Sequence, residues 1–473
     1  MHPRGGGLVV TDRPPGPGDD SGGSFVPAAI LLAILLVVAG RKSSEKPKLP
    51  ETDAASTKTE PCKNVSWRRI VSLAIVSTTV SVLAHSAFHE ESTQMGVAVL
   101  GSFRNRMRPL AIQGRFLFID ISAYKAVDGE TPAEVFEKLY ASLQEDRGNG
   151  LDPPLAIGFD GDLSVFDGST ISLNRDRALK ALSLIQRDFC PVVAGADRQA
   201  VQRPELRWGV PNVHLIPGAM RAGWTGLDYP MQFETPFGAL DSLALALVRA
   251  SGWHYVLGGF SRPKVTAEQV TLGPNTRIAS SRYLPAATLE RVRREVGRIV
   301  VKPGGNSGLL DEADRGRLPG KMVLIAFLKE TPSGRHDYVP AHGREMAERD
   351  PNEGWRGAYG QATAVEIAVN PIYRLPDSAA LWIDLVLGWS CLAAGQFLEY
   401  RCPRRIKARV FLHSAILMAM LILAAILSLF GIILDVVFGL SASICLDVVS
   451  VVTLERYHEA KENIPLEIFS HES

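Results

Sequence analysis

Hydrophobic positions along the chain follow two regimes. Four runs, 70–88, 379–398, 410–430 and 432–454, are apolar almost without interruption. A helix rises about 1.5 Å per residue and the hydrocarbon core of a bilayer is about 30 Å thick, so about 20 apolar residues cross it. These four runs are therefore expected transmembrane helices, the alternative for each being a buried helix of a soluble domain. A fifth run, 25–40, is apolar but short. It is a candidate fifth span, or else a signal-like segment that is removed. The residues before it are rich in Gly and Pro and put Asp19 and Asp20 close to the apolar run, which is poor signal-peptide chemistry.

Between 89 and 377 the pattern changes, and compact apolar runs alternate with amphipathic stretches. "RFLFIDIS" (115–122), "LAIGF" (155–159), "CPVVAG" (190–195), "VHLIP" (213–217), "RIVV" and "KMVLIAF" predict strands. Helices are predicted after Thr131, where Thr131 and Glu134 make a capping box around Pro132, and over 175–188. Two more follow, one through "LDSLALALVRA" and one through "AVEIAVN". Strands alternating with helices predict an α/β domain with a largely parallel sheet. The expected fold class is thus an α/β extracytoplasmic domain plus four or five transmembrane α-helices.

Flanking charge sets the expected orientation, because cytoplasmic loops keep the excess of Lys and Arg. Arg68 and Arg69 precede the run at 70–88, and Arg401, Arg404, Arg405, Lys407 and Arg409 separate 379–398 from 410–430. Both loops are expected to be cytoplasmic, which puts the 89–377 domain outside. Residues 1–24 are rich in Gly and Pro and read as a disordered N-terminus, and the polar stretch 41–69 reads as a cytoplasmic linker. The tail 455–473 is then a short cytoplasmic end, and the protein is expected to be a multi-pass protein of the plasma (inner) membrane.

The net charge of +1 makes no case for a nucleic-acid partner. The five cysteines show no paired spacing, and Cys190 is the only one inside 89–377, so an internal disulfide of that segment and a C-x-x-C metal knuckle are both excluded.

In parallel sheets ligands sit outside the carboxyl ends of the strands. Asp120, Asp160 and Asp162 occupy such ends, and Asp337 lies in the loop after "KMVLIAF". The plain alternative is that each carboxylate caps the turn that follows it. "GFDGDLSV" (158–165) also resembles the first motif of haloacid-dehalogenase-like phosphatases. That resemblance would make Asp160 the nucleophile and Asp162 the acid/base. No apolar strand ends in a later acidic pair to hold magnesium; Asp311 and Asp314 follow a Gly/Asn loop instead. G-x-S-x-G, H-E-x-x-H and the P-loop pattern are absent, and His214, His254, His336 and His342 are scattered. No metal site, cofactor or catalytic residue is expected.

A second resemblance covers more of the chain. "FIDIS", "IGFDGD", "DRALKALSLIQRDFCPVVAG", "DSLALALVRASG", "GKMVLIA", "DYVP" and "AVEIAVNPIYRL" occur in order and run into membrane-grade helices. This set resembles the type 2 CHASE domain, the cyclase/histidine-kinase-associated sensory extracellular domain. The chain departs from the family at three places: the W-P-W-x-R-type segment is replaced by "YKAVDGETP", the Gly after the V-L-I strand is Ala326, and the His of the final helix is Ala368. Glu366 of that helix joins Asp120, Asp160, Asp162 and Asp337 in the candidate ligand-binding set.

The resemblance implies a non-enzymatic membrane sensor or receptor subunit for an unknown extracytoplasmic ligand. Family members continue into a cytoplasmic enzyme domain, for which 455–473 leaves no room. The expected output is therefore a separate cytoplasmic or membrane partner, or a change in homo-oligomeric assembly. Lipid is the remaining expected partner. The competing classes are an extracytoplasmic phosphatase using Asp160 and Asp162, and a membrane scaffold. Ionisable residues inside a bilayer are costly and mark function. Asp384, His413 and Asp447 are the intramembrane candidates, with a His413–Asp447 pair expected between the last two helices, while Asp435 falls at the turn before the last one.

Overall fold

The computed structural model describes residues 67–166, 170–196, 200–201, 205–210, 216–217, 226–235, 238–255, 277–303, 308–328, 338–339, 355–375, 377–401 and 406–434. The chain divides into two compact units, one of Met1–His89, Asp377–Met418 and Val436–Ser473, the other of Glu90–Pro376 with Ala419–Asp435.

In the second unit, after helix α1 (Trp67–Met107), the chain alternates strand and helix: β1 (Phe116–Asp120), α2 (Ala133–Gly148), β2 (Ala156–Phe159), α3 (Leu173–Asp188), β3 (Val192–Gly195) and β4 (Arg207–Gly209). It continues through β5 (Gly226–Thr235), β6 (Gly238–Asp241), α4 (Leu243–Ala250), β7 (Arg277–Pro285), α5 (Ala286–Glu295), β8 (Gly297–Val300), α6 (Glu312–Arg315), β9 (Met322–Ala326) and α7 (Gly357–Val369). Six strands form one sheet in the order β8-β1-β9-β2-β3-β4, and every pairing is parallel. This bears out the largely parallel α/β sheet.

Every residue of β1 and β9 is buried, because a parallel sheet is covered on both faces and its inner strands are apolar throughout. Leu117, Ile119, Phe159 and Ile325 pack with α2 and α3, where the Phe136 ring meets Phe159 edge-on at 4.9 Å. Phe116, Phe118, Met322 and Leu324 turn the other way and pack with α4, α5 and α7. The result is three layers, helix on sheet on helix.

The capping box at α2 is a correction. Pro132 is the cap position and makes no side-chain cap bond. The Ala133 amide instead donates to Asn174 Oδ1 at 2.8 Å, and Glu134 pairs with Lys138 at 2.6 Å. A side chain from the start of α3 thus supplies the acceptor that Thr131 was expected to give. Of "VHLIP", Ile216–Pro217 is a short strand and 211–215 lie outside the described residues. An antiparallel group of β5, β6 and β7 was not anticipated, since Pro230 and alternating polar residues obscure its period.

The expected run 70–88 belongs to α1, which continues without a break to Met107. No Pro or Gly-rich signal interrupts 89–95, so the helix has no reason to stop at the end of the apolar run. Helices α8 (Asp377–Arg401) and α9 (Ile406–Leu429) contain the runs 379–398 and 410–430, with a short strand β10 (Tyr373–Arg374) before them. The run at 432–454 opens not as helix but as strand β11 (Ile432–Ile433), paired in parallel with β10; its remainder from 435, and the whole of 25–40, lie outside the described residues. Among the described residues one helix, Phe411–Leu429, is long and apolar enough to cross a membrane, with a mean hydropathy of 2.4. Ala74–Leu83 and Ser378–Ala394 are shorter apolar stretches.

Candidate functional site

The pleat of the sheet brings two of the candidate carboxylates onto one face. Asp120 pairs with Ala326 across β1 and β9, and Ile325 pairs with Phe159 across β9 and β2. One residue further on, the register sets Asp160 opposite Ala326, and the Asp160 amide donates to Ile325 O at 2.9 Å. Asp120, Ala326 and Asp160 therefore form a row across three strands. The Cα atoms of the two acids stand about 10 Å apart, two strand spacings. Alternation puts the row on the side of Phe118 and Leu324, facing α7.

The connections make this a topological switch point. The chain leaves β1 and β2 for α2 and α3 on one face, and leaves β9 for α7 on the other. Crevices open at the carboxyl ends of strands whose connections diverge in this way, and ligands of open α/β sheets bind there.

Asp120 is fully buried. Its Oδ1 accepts from the Ser122 amide at 3.0 Å, from the Ser122 hydroxyl, and from the Leu328 amide at 3.3 Å. Its Oδ2 finds no donor among the described residues. A buried polar atom left unpaired costs about 1–3 kcal/mol. Asp160 is partly exposed and accepts from Gln361 Nε2 at 3.4 Å. Gln361 Oε1 in turn accepts the hydroxyl of Tyr229, a fully buried side chain on β5. Burial raises the Tyr229 phenol above its ordinary range and the Asp160 charge adds to this, with Ser242 at the cap of α4 acting against them. Tyr359, two residues before Gln361 on α7, packs edge-on against Phe118 with ring centroids 5.3 Å apart. Its phenol is raised by burial, opposed by the charge and hydrogen bond of Arg298 and reinforced by Asp120.

The other candidates separate from this row. Asp162 turns back on its own chain, accepting from the Ser164 amide at 2.8 Å and from the Ser164 hydroxyl, the same D-x-S turn that Asp120 makes with Ser122. Glu366 lies further along α7 and is buried in a different setting: Oε2 accepts from the Ile112 amide at 3.0 Å and Oε1 from Asn370 Nδ2 at 2.8 Å. The Arg104 guanidinium donates to Asn370 Oδ1; burial lowers its pKa while the Glu366 carboxylate opposes that shift. Asp311 caps α6 by accepting from the Asp314 amide at 2.8 Å. Asp337, Asp435 and Asp447 lie outside the described residues, and the His413–Asp447 pair with them. Asp384 and His413 are both buried in the first unit. Among the described residues no group of three or more His, Cys, Asp or Glu is placed to hold a metal ion.

Tyr359, Gln361, Tyr229 and Arg298 were not singled out from the sequence. The one available signal was "GAYGQATA", where Tyr359 and Gln361 are the large side chains in a helix start otherwise made of small residues. No protein-family model, curated protein or solved structure matches the chain.

Proposed function

We propose that the protein is a membrane-bound sensor subunit whose α/β domain detects an extracytoplasmic signal and passes it through its C-terminal helices to a separate partner. One observation carries this proposal: α7 touches the switch point and the exit of the domain at its two ends. Tyr359 and Gln361 near its start face Asp120 and Asp160, while Glu366 near its end binds Asn370 and Ile112, just before the chain continues through Tyr373 to α8. A helix of 13 residues is about 20 Å long, so a shift at one end reaches the other within a single rigid element.

A ligand biases such an element by as much as it prefers one arrangement over the other. The order of motifs resembling type 2 CHASE domains supports the same function. The membrane assignment draws on Phe411–Leu429, of which 17 % is buried, where the core helix of a soluble domain would be mostly buried. Trp382, Val386, Phe411, Met418 and Ile422 expose large apolar side chains on α8 and α9, a surface suited to lipid.

The test is sidedness in intact cells. With the native cysteines replaced, a cysteine at Asn149 should react with a membrane-impermeant maleimide, and one at Arg405 only after lysis. The reverse labelling would remove the proposal. Full-length protein purified in mild detergent should then bring down a stoichiometric cytoplasmic or membrane partner, and self-association alone would replace the partner by a change of assembly.

A further inference from the structure

We infer that Arg104 and Asn370 form the joint through which the sensor transmits, and that its route runs into α1 as well as into the C-terminal helices. This adds α1 to the proposed route and rests on the sensor reading for its biological meaning.

Three chain segments that lead to expected membrane helices meet at Arg104. The first is α1 itself, a continuous helix of 41 residues that carries Arg104 in its last turn and the run 70–88 nearer its start. The second is the exit from α7, where the Arg104 guanidinium donates to the Asn370 side-chain oxygen and, at 3.5 Å, to its carbonyl. The third is the turn after α9. Gly431 stands there with φ +83°, and a Cβ on it would lie 3.5 Å from Arg104 Nη2 and 2.7 Å from Pro371 O. Glycine lets the turn seat this closely, because it has no Cβ and accepts the left-handed backbone.

Asn370 is the bridge. It accepts from Arg104 at Oδ1 and donates from Nδ2 to Glu366 Oε1 at 2.8 Å, so cation and carboxylate are joined through one amide. Glu366 is the only charged residue of α7, and its second oxygen takes the amide of Ile112 in the segment after α1. At the other end of α7, Gln361 bonds Asp160 and Tyr229. The helix is therefore tied by polar side chains at the switch point and at this joint, while Ala362, Ala364 and Ala368 pack between them. Short side chains interlock least with their neighbours, so the polar ties weigh most in fixing where α7 stands along its axis.

The choice of arginine fits the task. Its planar guanidinium offers five N–H donors in a fixed fork, enough to hold Asn370 while facing Glu366 and the Gly431 turn, whereas a lysine ammonium is a single centre. One donor is left over: Arg104 Nε is buried without an acceptor among the described residues. An unpaired buried donor is a standing cost, and a displacement that brings it an acceptor recovers part of that cost. This lowers the cost of a second arrangement, which a transmitting element needs.

The experiment uses the full-length protein in detergent micelles, with the native cysteines replaced. Spin labels are placed at Met107, which is 62 % exposed at the end of α1, and at the exposed Asn149 beyond α2, and pulsed dipolar spectroscopy reads the distance between them. Gln361→Leu cuts the ties to Asp160 and Tyr229 and releases the start of α7. It is expected to move the mean distance by about 1–2 Å, the scale of helix shifts in switching proteins. Asn370→Ala and Arg104→Lys, each introduced beforehand, should abolish that movement; Arg104→Lys is the milder change and carries the test if Asn370→Ala does not fold. A residue of merely structural weight lowers stability but leaves the response to Gln361→Leu intact. A distance unmoved by Gln361→Leu, or moved equally with the joint intact and broken, overturns the inference. With Asn149 labelled from outside in intact cells, such a failure removes α1 from the route and leaves the sensor with its C-terminal helices. Asn149 labelled only after lysis removes the sensor, whatever the distances show.

Discussion

Glu366 accepts a hydrogen bond from the backbone amide of Ile112 at 3.0 Å, a contact between residues 254 positions apart. The same carboxylate takes the Asn370 side-chain amide and faces the buried Arg104. Removing one member of a buried charged pair costs about 3–5 kcal/mol, because the other is left uncompensated. Glu366→Ala should therefore lower the unfolding temperature of the purified protein strongly, and Glu366→Gln less, since it keeps an acceptor for Ile112. In a double-mutant cycle, Arg104→Met with Glu366→Met should cost less than the sum of the single changes. Additive losses would show that the two charges do not act together.

Gly209 closes β4 where the start of α4 presses on it. A Cβ there would stand 2.7 Å from the Leu243 Cα, a backbone atom with no rotamer to yield. Gly209→Ala should destabilise by about 1–3 kcal/mol, the usual cost of overpacking, read as a shifted denaturant midpoint. An unchanged midpoint would mean that α4 is free to move away.

Cys190 is buried, and burial pushes its thiol up to about 12. The thiolate is the reactive form, so native protein near pH 8 should leave Cys190 unmodified by a maleimide while the unfolded chain labels at once. Peptide mapping after labelling reads this directly. Rapid native labelling would mean that this side of the sandwich opens readily.

Asp188 accepts from Arg187 and from Tyr140, and these bonds hold its carboxyl down to about 2, below the ordinary 3.8. A depressed folded pKa contributes stability that is present above the unfolded value and lost as pH falls through the folded one. The unfolding temperature should therefore drop between about pH 4 and pH 2, and Asp188→Asn should flatten that part of the profile. Equal slopes in the two proteins would remove Asp188 as the cause.

The central sheet was legible because buried parallel strands are written as continuous apolar runs, as in "FLFID" and "MVLIA". The carboxylates at their ends were legible for the same reason, since a strand that stops at Asp marks its own carboxyl end. The grouping of Asp120 with Asp160 and not with Asp162 was not legible. It depends on β9 lying between β1 and β2, a pairing made across some 160–200 residues that no local pattern encodes. Tyr229 was hidden by the broken period of β5, and the role of Glu366 by the continuation of α1 to Arg104, past the end of its apolar run.

The bond from the Tyr373 amide to Gly431 O, at 2.7 Å, also dates an event in the life of the chain. Both α8 and α9 lie between those two residues in the chain, so β10 cannot find β11 until both helices have been made. Synthesis runs from the N-terminus at about 5–20 residues per second, which leaves the Tyr373 edge waiting for seconds after the sandwich could have folded. A chain interrupted before Gly431 therefore keeps the Tyr373 edge without its β11 partner, so this small pairing is among the last contacts of its unit to form.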